Sequence, residues 1–466
     1  MELDGVMLAR IQFAFTMTFH IIFPTFTIGL SAWIATLEGI WLKTGEDRYH
    51  QLARFWTKIF AVSFAMGVVS GIVMSYEFGT NWSRFSEVVG NVVSPLIGYE
   101  ILTAFFLEAT FLGIMLFGWN RVPRGLHFTA SVVVAVGTLM SAFWILAANS
   151  WMQYPVGHVI RDGIAYPENW LKVIFNPTFP LRIAHMVIAA YLTTAFVILG
   201  IGARYLIRSQ HKPYAQIMMR MGLGMALVLA PAQLIIGDLH GLKAAKYQPA
   251  KIAAIEAHWD SSKPGALVLF ALPDEGAEKN NFEIAIPNGA SLMITHDLNG
   301  LFPGLKDFPK KDRPPVMIPF FGFRLMVSIG LWFILLAGWG ALRWRRGQLF
   351  DKGLYLTLAS WSWPLGFVAL LAGWFVTEVG RQPWLATGIL RTIDASSPIT
   401  TAQVSVSLAL FVVVYSIVFA AGIYYINRLI NKGPTKAIIN AKEDGGANHP
   451  ISAAGAAGRQ TLGSEV

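Results

Sequence analysis

The run IQFAFTMTFHIIFPTFTIGLSAWIATL, residues 11–37, decides the fold. It holds no Asp, Glu, Lys or Arg, and one titratable side chain, His20. A bilayer is crossed by about 20 apolar residues in a helix, so this stretch reads as a transmembrane helix with an imidazole inside it. Eight further runs are similar: roughly 56–77, 96–118, 126–148, 183–207, 217–236, 318–341, 354–377 and 402–427. The fold class is all-α: a polytopic membrane bundle of about nine transmembrane helices with one structured extracytoplasmic loop. Across its 466 residues the chain is 55% hydrophobic and 14% charged, against about 25% charged in soluble domains.

Four parts follow. Residues 1–236 carry six helices, 237–317 form a long loop, 318–430 carry three more, and 431–466 form a Gly/Ala/Ser-rich tail expected to be disordered. Lys and Arg set the orientation. Nineteen lie on one side, from Lys43, Arg48, Arg54 and Lys58 through to the tail, and seven on the other outside the long loop. The N-terminus is expected outside, the long loop outside, and the C-terminus in the cytoplasm of a bacterial inner membrane. The net charge of +9 belongs to these flanks and speaks for lipid rather than nucleic acid. The first apolar run is too long for a signal-peptide core, so no cleavable leader is expected. No cysteine is present, which excludes disulfides, Cys-ligated iron–sulfur clusters and c-type haem attachment. No internal repeat of the transporter kind is visible.

Titratable groups in hydrocarbon are functional candidates by default. They are His20, Glu100, Glu108, His185, Arg324 and Glu378. Either histidine could be a metal ligand or a hydrogen-bonded imidazole between helices. Pro24 follows His20 by four residues and frees its carbonyl, so a kink is expected there. Arg324, two residues before Met326, could pair a cofactor carboxylate or snorkel to the interface. Glu378 opens a cluster with Arg381, Gln382 and Trp384, and Trp374 lies one turn earlier. That is more polar chemistry than an interfacial anchor requires. Glu100 and Glu108 are spaced about 12 Å along a regular helix and about 80° around it, as stations for protons. The topology puts His20, His185, Met326 and Glu378 in the outer half of four separate spans.

Two membrane histidines are too few for a haem–copper oxidase, which needs about six, or for bis-His cytochromes b. A multi-haem protein with this set must recruit Met and Glu.

The segments Arg10-Ile-Gln-Phe with His20, Phe78-Gly-Thr-Asn-Trp82, Glu100 with Phe105-Phe-Leu-Glu108, Trp151-Met-Gln153, Lys251-Ile-Ala-Ala-Ile-Glu256, Arg324-Leu-Met326 and Gly373-Trp374 through Gly380-Arg-Gln-Pro-Trp384 carry a resemblance. The chain resembles subunit I of cytochrome bd-type quinol oxidases up to about residue 430, in the short Q-loop form, and is similar to the cyanide-insensitive oxidases. The resemblance implies three haems: two of type b plus a haem d, or a third haem b. It matches His185 and Met326 to the axial pair of the low-spin haem, and His20 and Glu378 to ligands of the high-spin haems. It also matches Lys251 and Glu256 to the quinol site, and Glu100, Glu108 and Ser141 to proton delivery. Arg10, Trp374 and Arg381 match residues beside the high-spin haems. It further implies a second membrane subunit (subunit II), with a small single-helix subunit as a further candidate. The chain departs from some members at Leu239, where they carry a carboxylate. The implied activity is quinol oxidation outside and oxygen reduction with cytoplasmic protons, without pumping. The competing readings are a proton-coupled transporter using Glu100, Glu108 and Arg324, and a haem-bearing electron carrier without oxygen chemistry.

Overall fold

The computed structural model describes residues 4–434; the expected tail lies almost wholly outside them. Among the described residues, eight helices are long and apolar enough to cross a membrane. They are Gly5–Thr44, Asp47–Thr80, Ser83–Phe117, Arg124–Gln153, Phe179–Ile207, Lys212–Tyr247, Met317–Arg345 and Thr401–Lys432. A bent pair, Leu354–Trp361 and Leu365–Val379, makes a ninth span by length and composition. We number them spans one to nine in chain order, the bent pair being span eight.

Several helices outrun their apolar cores. Span one has 40 residues, about 60 Å at 1.5 Å per residue, twice the hydrocarbon thickness. Asp4 caps it by accepting from the Met7 amide at 2.8 Å, and Gly45 ends it in the left-handed conformation at φ 71°. Span six was expected to end near residue 236. It continues to Tyr247 because nothing breaks it before Gln248-Pro249. Span eight, expected as one helix over 354–377, bends by 43° at Ser362-Trp363-Pro364, where the proline cannot donate to the preceding turn.

Span five is the hub: 72% of its most apolar window is buried, against 11% for span nine. Small residues let its neighbours approach. A Cβ on Gly29 of span one would lie 2.3 Å from Thr194 Oγ1 of span five. Phe196 stacks on Phe333 of span seven at 3.7 Å between ring centroids.

The loops carry strand structure that the helical pattern did not announce. Strands β1 (His158–Arg161) and β2 (Ile164–Pro167) pair through Asp162-Gly163, both at positive φ, as an Asp-Gly hairpin favours. In the long loop, β3 (Leu267–Asp274) pairs with β4 (Lys279–Ile286). After span eight, β5 (Trp384–Ala386) pairs with β6 (Leu390–Arg391). The long loop also carries a helix from Pro249 to Ile255, with proline at its start.

Candidate functional site

Spans one to eight and the start of the long loop line a cavity of about 1040 Å³, at the upper end of the range for ligand sites. His20, His185, Met326 and Glu378, from spans one, five, seven and eight, all face it. So do Arg10, Glu100, Glu108, Ser141, Lys251, Glu256, Trp374, Arg381 and Gln382.

His20 Nδ1 lies 3.0 Å from Ser70 Oγ, and Ser70 donates to the carbonyls of Met66 and Gly67. With its proton on either carbonyl, the serine oxygen is left to accept from Nδ1, the arrangement that would keep the Nε2 lone pair for a metal. His185 packs on Gly237, where a Cβ would stand 3.3 Å from its Cε1. The Gln233 amide lies 3.2 Å and 3.3 Å from its two ring nitrogens. Met326 lies against Gly373, where a Cβ would meet its Sδ at 2.8 Å. These glycines leave room for the imidazole and the thioether to pack against the neighbouring helices.

Glu378 accepts from Asn149 Nδ2 at 2.8 Å and from Gln153 Nε2 at 3.4 Å, and is paired with Arg381. Nε and Nη1 of Arg381 and Nε of Arg182 are buried without partners. Buried guanidinium N–H groups without acceptors are rare. Facing a cavity with imidazole, thioether and carboxylate donors, they fit a group bearing carboxylates of its own, as haem does.

Glu100 and Glu108 do not sit on the regular helix assumed from their spacing. A π turn, Ile101–Phe105, separates them. It inserts one residue, so eight positions rotate like seven and the offset falls from about 80° to about 20°. Both then reach one face of span four. Glu100 accepts from Ser141 Oγ at 2.7 Å, and the Glu108 side chain lies over Gly137, four residues earlier.

Lys251 and Glu256 are buried at the base of the long loop. Lys251 Nζ donates to Gln153 Oε1 at 2.6 Å. Burial pushes its ammonium well below the ordinary lysine value, and the Arg182 guanidinium adds to this. Burial pushes Glu256 above the usual carboxylate range against the pull of Arg324.

Two expected cofactor contacts are placed elsewhere. Arg324 is outside the cavity wall. It pairs with Glu256 at 2.8 Å, donates to the Ile255 carbonyl at 2.6 Å, and lies 3.7 Å over Phe320. The carboxylate it meets is the protein's own, because the loop folds down onto span seven and supplies acceptors first. Trp384 also leaves the wall: it sits in β5, under Arg391 at 4.5 Å, turned away by the hairpin.

The sequence reading missed other wall residues. Arg182 was counted only as a flanking cation, yet it is 7% exposed and faces the cavity. His240 was assigned to a loop, but span six carries it to 5.5 Å from the His185 ring, so His20 and His185 are not the only imidazoles at this site. Asn149, on span four beside Glu378, also lines the cavity and was missed.

Comparisons with known proteins agree. Residues 8–434 match the family model described as cytochrome bd terminal oxidase subunit I. Cytochrome bd-II ubiquinol oxidase subunit 1 of Escherichia coli is 32% identical, over 93% of this chain and 97% of its own. Cytochrome bd ubiquinol oxidase subunit 1 of Bacillus subtilis is 36% identical, over 92% and 94%. The bd oxidase structure from Geobacillus thermodenitrificans superposes with a TM-score of 0.86 at 31% identity, covering 92% of this chain and 99% of that one. The chain therefore belongs to the cytochrome bd terminal oxidase subunit I family.

Proposed function

We propose that this chain is the haem-bearing subunit of a quinol:oxygen oxidoreductase. It would oxidise quinol at the base of the extracytoplasmic loop and reduce dioxygen to water with cytoplasmic protons. The observation that carries this reading is the convergence of His20, His185, Met326 and Glu378 on one cavity that also holds unpartnered guanidinium N–H groups. His185 with Met326 would hold a low-spin haem. His20 and Glu378 would hold high-spin haems, as two b haems plus a haem d or a third haem b. Arg182 and Arg381 are placed to bind haem carboxylates, with Arg10 and Trp374 beside them. When bound, the haems supply the one-electron chemistry between quinol and dioxygen.

The protein's part is to place substrate and move protons. An uncharged Lys251 amine and the Glu256 carboxylate, both shifted toward neutrality by burial, can each take a proton from quinol. Glu108 and Glu100, on span three and aligned against span four, would hand protons toward the cavity from inside. With quinol protons released outside and oxygen-reduction protons taken inside, charge separates without pumping. The Lys/Arg distribution supports that orientation. The relatives are each called subunit 1, which supports assembly with a second membrane subunit. A small single-helix subunit would be an addition to that pair.

The test is the optical spectrum of the purified complex with haem extraction, followed by carbon monoxide addition to the reduced protein and a quinol-dependent oxygen-uptake assay. Haem bands, a carbon monoxide shift and oxygen uptake are expected. A colourless protein, or haem that leaves carbon monoxide unbound, would overturn the proposal.

A further inference from the structure

Gln153 ends span four, at the junction of three elements. It has no solvent exposure, and both ends of its amide are engaged. Its Oε1 accepts from Lys251 Nζ at 2.6 Å and from Gln248 Nε2 at 3.0 Å. Its Nε2 donates to the Thr377 carbonyl and to Glu378 Oε1, each at 3.4 Å. Gln248 also donates to the Gln153 carbonyl at 2.9 Å. One side chain thus touches the amine on the loop and the carboxylate at the end of span eight. The two sites are adjacent elsewhere too: a Cβ on Gly380 would stand 2.9 Å from Lys251 Cγ.

An amide is suited to this place. It accepts on one end and donates on the other, so it can neutralise neither partner and must orient both. The bonds to Lys251 and Glu378 differ in quality: 2.6 Å is short, whereas 3.4 Å is long. A ligand that draws Lys251 toward itself releases the carbonyl end of the amide. The amide is then free to settle its donor on Glu378.

We propose that Gln153 is a positioning residue that couples occupancy at Lys251 to the geometry of Glu378, so that binding at the loop is felt at the haem ligand. The coupling rests on the proposed function, in which Lys251 meets quinol and Glu378 meets haem iron. It runs through one contiguous chain of hydrogen bonds, loop to span four to span eight, rather than through distance alone.

The experiment uses the purified oxidase complex and a hydroxyquinoline N-oxide as a quinol-site probe. Wild type, Gln153→Leu and Gln153→Glu are compared by haem content, by redox titration of the high-spin haems with and without the probe, and by KM for quinol. In wild type the probe is expected to shift the high-spin spectrum or midpoint potential. Gln153→Leu abolishes that shift and raises KM by up to about tenfold, the loss of one buried hydrogen bond. Gln153→Glu keeps an acceptor for Lys251 but loses the donor to Glu378. It therefore holds KM within about twofold of wild type and still abolishes the shift. A probe-induced shift that persists in both variants overturns the coupling, as does its absence from a wild-type complex that turns over quinol. Haem loss from both variants also overturns it, making Gln153 a packing residue. A wild-type complex without haem bands or quinol turnover would instead overturn the functional reading beneath it.

Discussion

Replacing Arg324 by Met separates two roles for this residue: pairing a cofactor carboxylate, or holding the long loop. The structure assigns it to the loop. Its guanidinium donates to Glu256 at 2.8 Å, to the Ile255 carbonyl at 2.6 Å and from Nε to the Val268 carbonyl at 3.0 Å. Methionine fills much of the volume over Phe320 but leaves all of these acceptors bare. Removing one partner of a buried ion pair costs about 3–5 kcal/mol. The Arg324 side chain is 17% exposed, so water tempers the loss and the lower end applies, about 3 kcal/mol or roughly a hundredfold. Glu256 escapes part of that cost by taking a proton, which burial already favours. On the proposed function, a protonated Glu256 cannot accept a proton from quinol. Quinol turnover should therefore fall by up to roughly a hundredfold, while haem per protein and the reduced-minus-oxidised spectrum stay as in wild type. The double variant R324M/E256Q removes the orphaned charge and should regain loop order without regaining turnover, a non-additive pair. Turnover by oxygen uptake and haem content by extraction check this. Loss of a haem from R324M, with turnover per remaining haem unchanged, would refute the reasoning and return Arg324 to the cofactor.

Three further outcomes are expected. His185→Ala should remove the low-spin b bands while the protein still inserts and assembles, read by reduced-minus-oxidised spectroscopy. Gly373→Ala places a methyl group 2.8 Å from Met326 Sδ, closer than packed atoms sit; it should displace the thioether and lower the low-spin midpoint potential in a redox titration, since losing Met ligation lowers it. Quinol oxidation should rise with pH through a carboxyl lying above the ordinary Glu value. The sign follows from Glu256: its pKa is raised by burial, so at low pH it is already protonated and gains its acceptor role only as pH climbs past that value. In Glu256→Gln that limb of the pH profile should disappear, measured as kcat/KM for quinol against pH.

The spans were legible because hydrocarbon demands long apolar helices, and residues 11–37 satisfy that demand without reference to any other segment. Which polar groups meet one another was less legible, because contact across helices depends on local backbone breaks that apolar periodicity does not encode. The π turn between Glu100 and Glu108 adds no distinctive residue, yet it turns both carboxylates of span three toward span four. The extension of span six to Tyr247 lies beyond the apolar run, and it alone brings His240 to the His185 ring. Arg324 shows the same limit from the energetic side. A carboxylate partner was inferable from an arginine in a span, but its identity depends on how the long loop folds back, and β3 and the Pro249–Ile255 helix supply acceptors that no short-range pattern reveals. Glu38 makes the point at the opposite membrane face: it accepts from Ser131 at 2.7 Å and is paired with His127 at 2.9 Å, a buried couple drawn from two spans that composition rates as ordinary helix ends. A sequence therefore announces a membrane site by which polar residues it tolerates in hydrocarbon, while the pairing among them is set by kinks, bulges and loop returns.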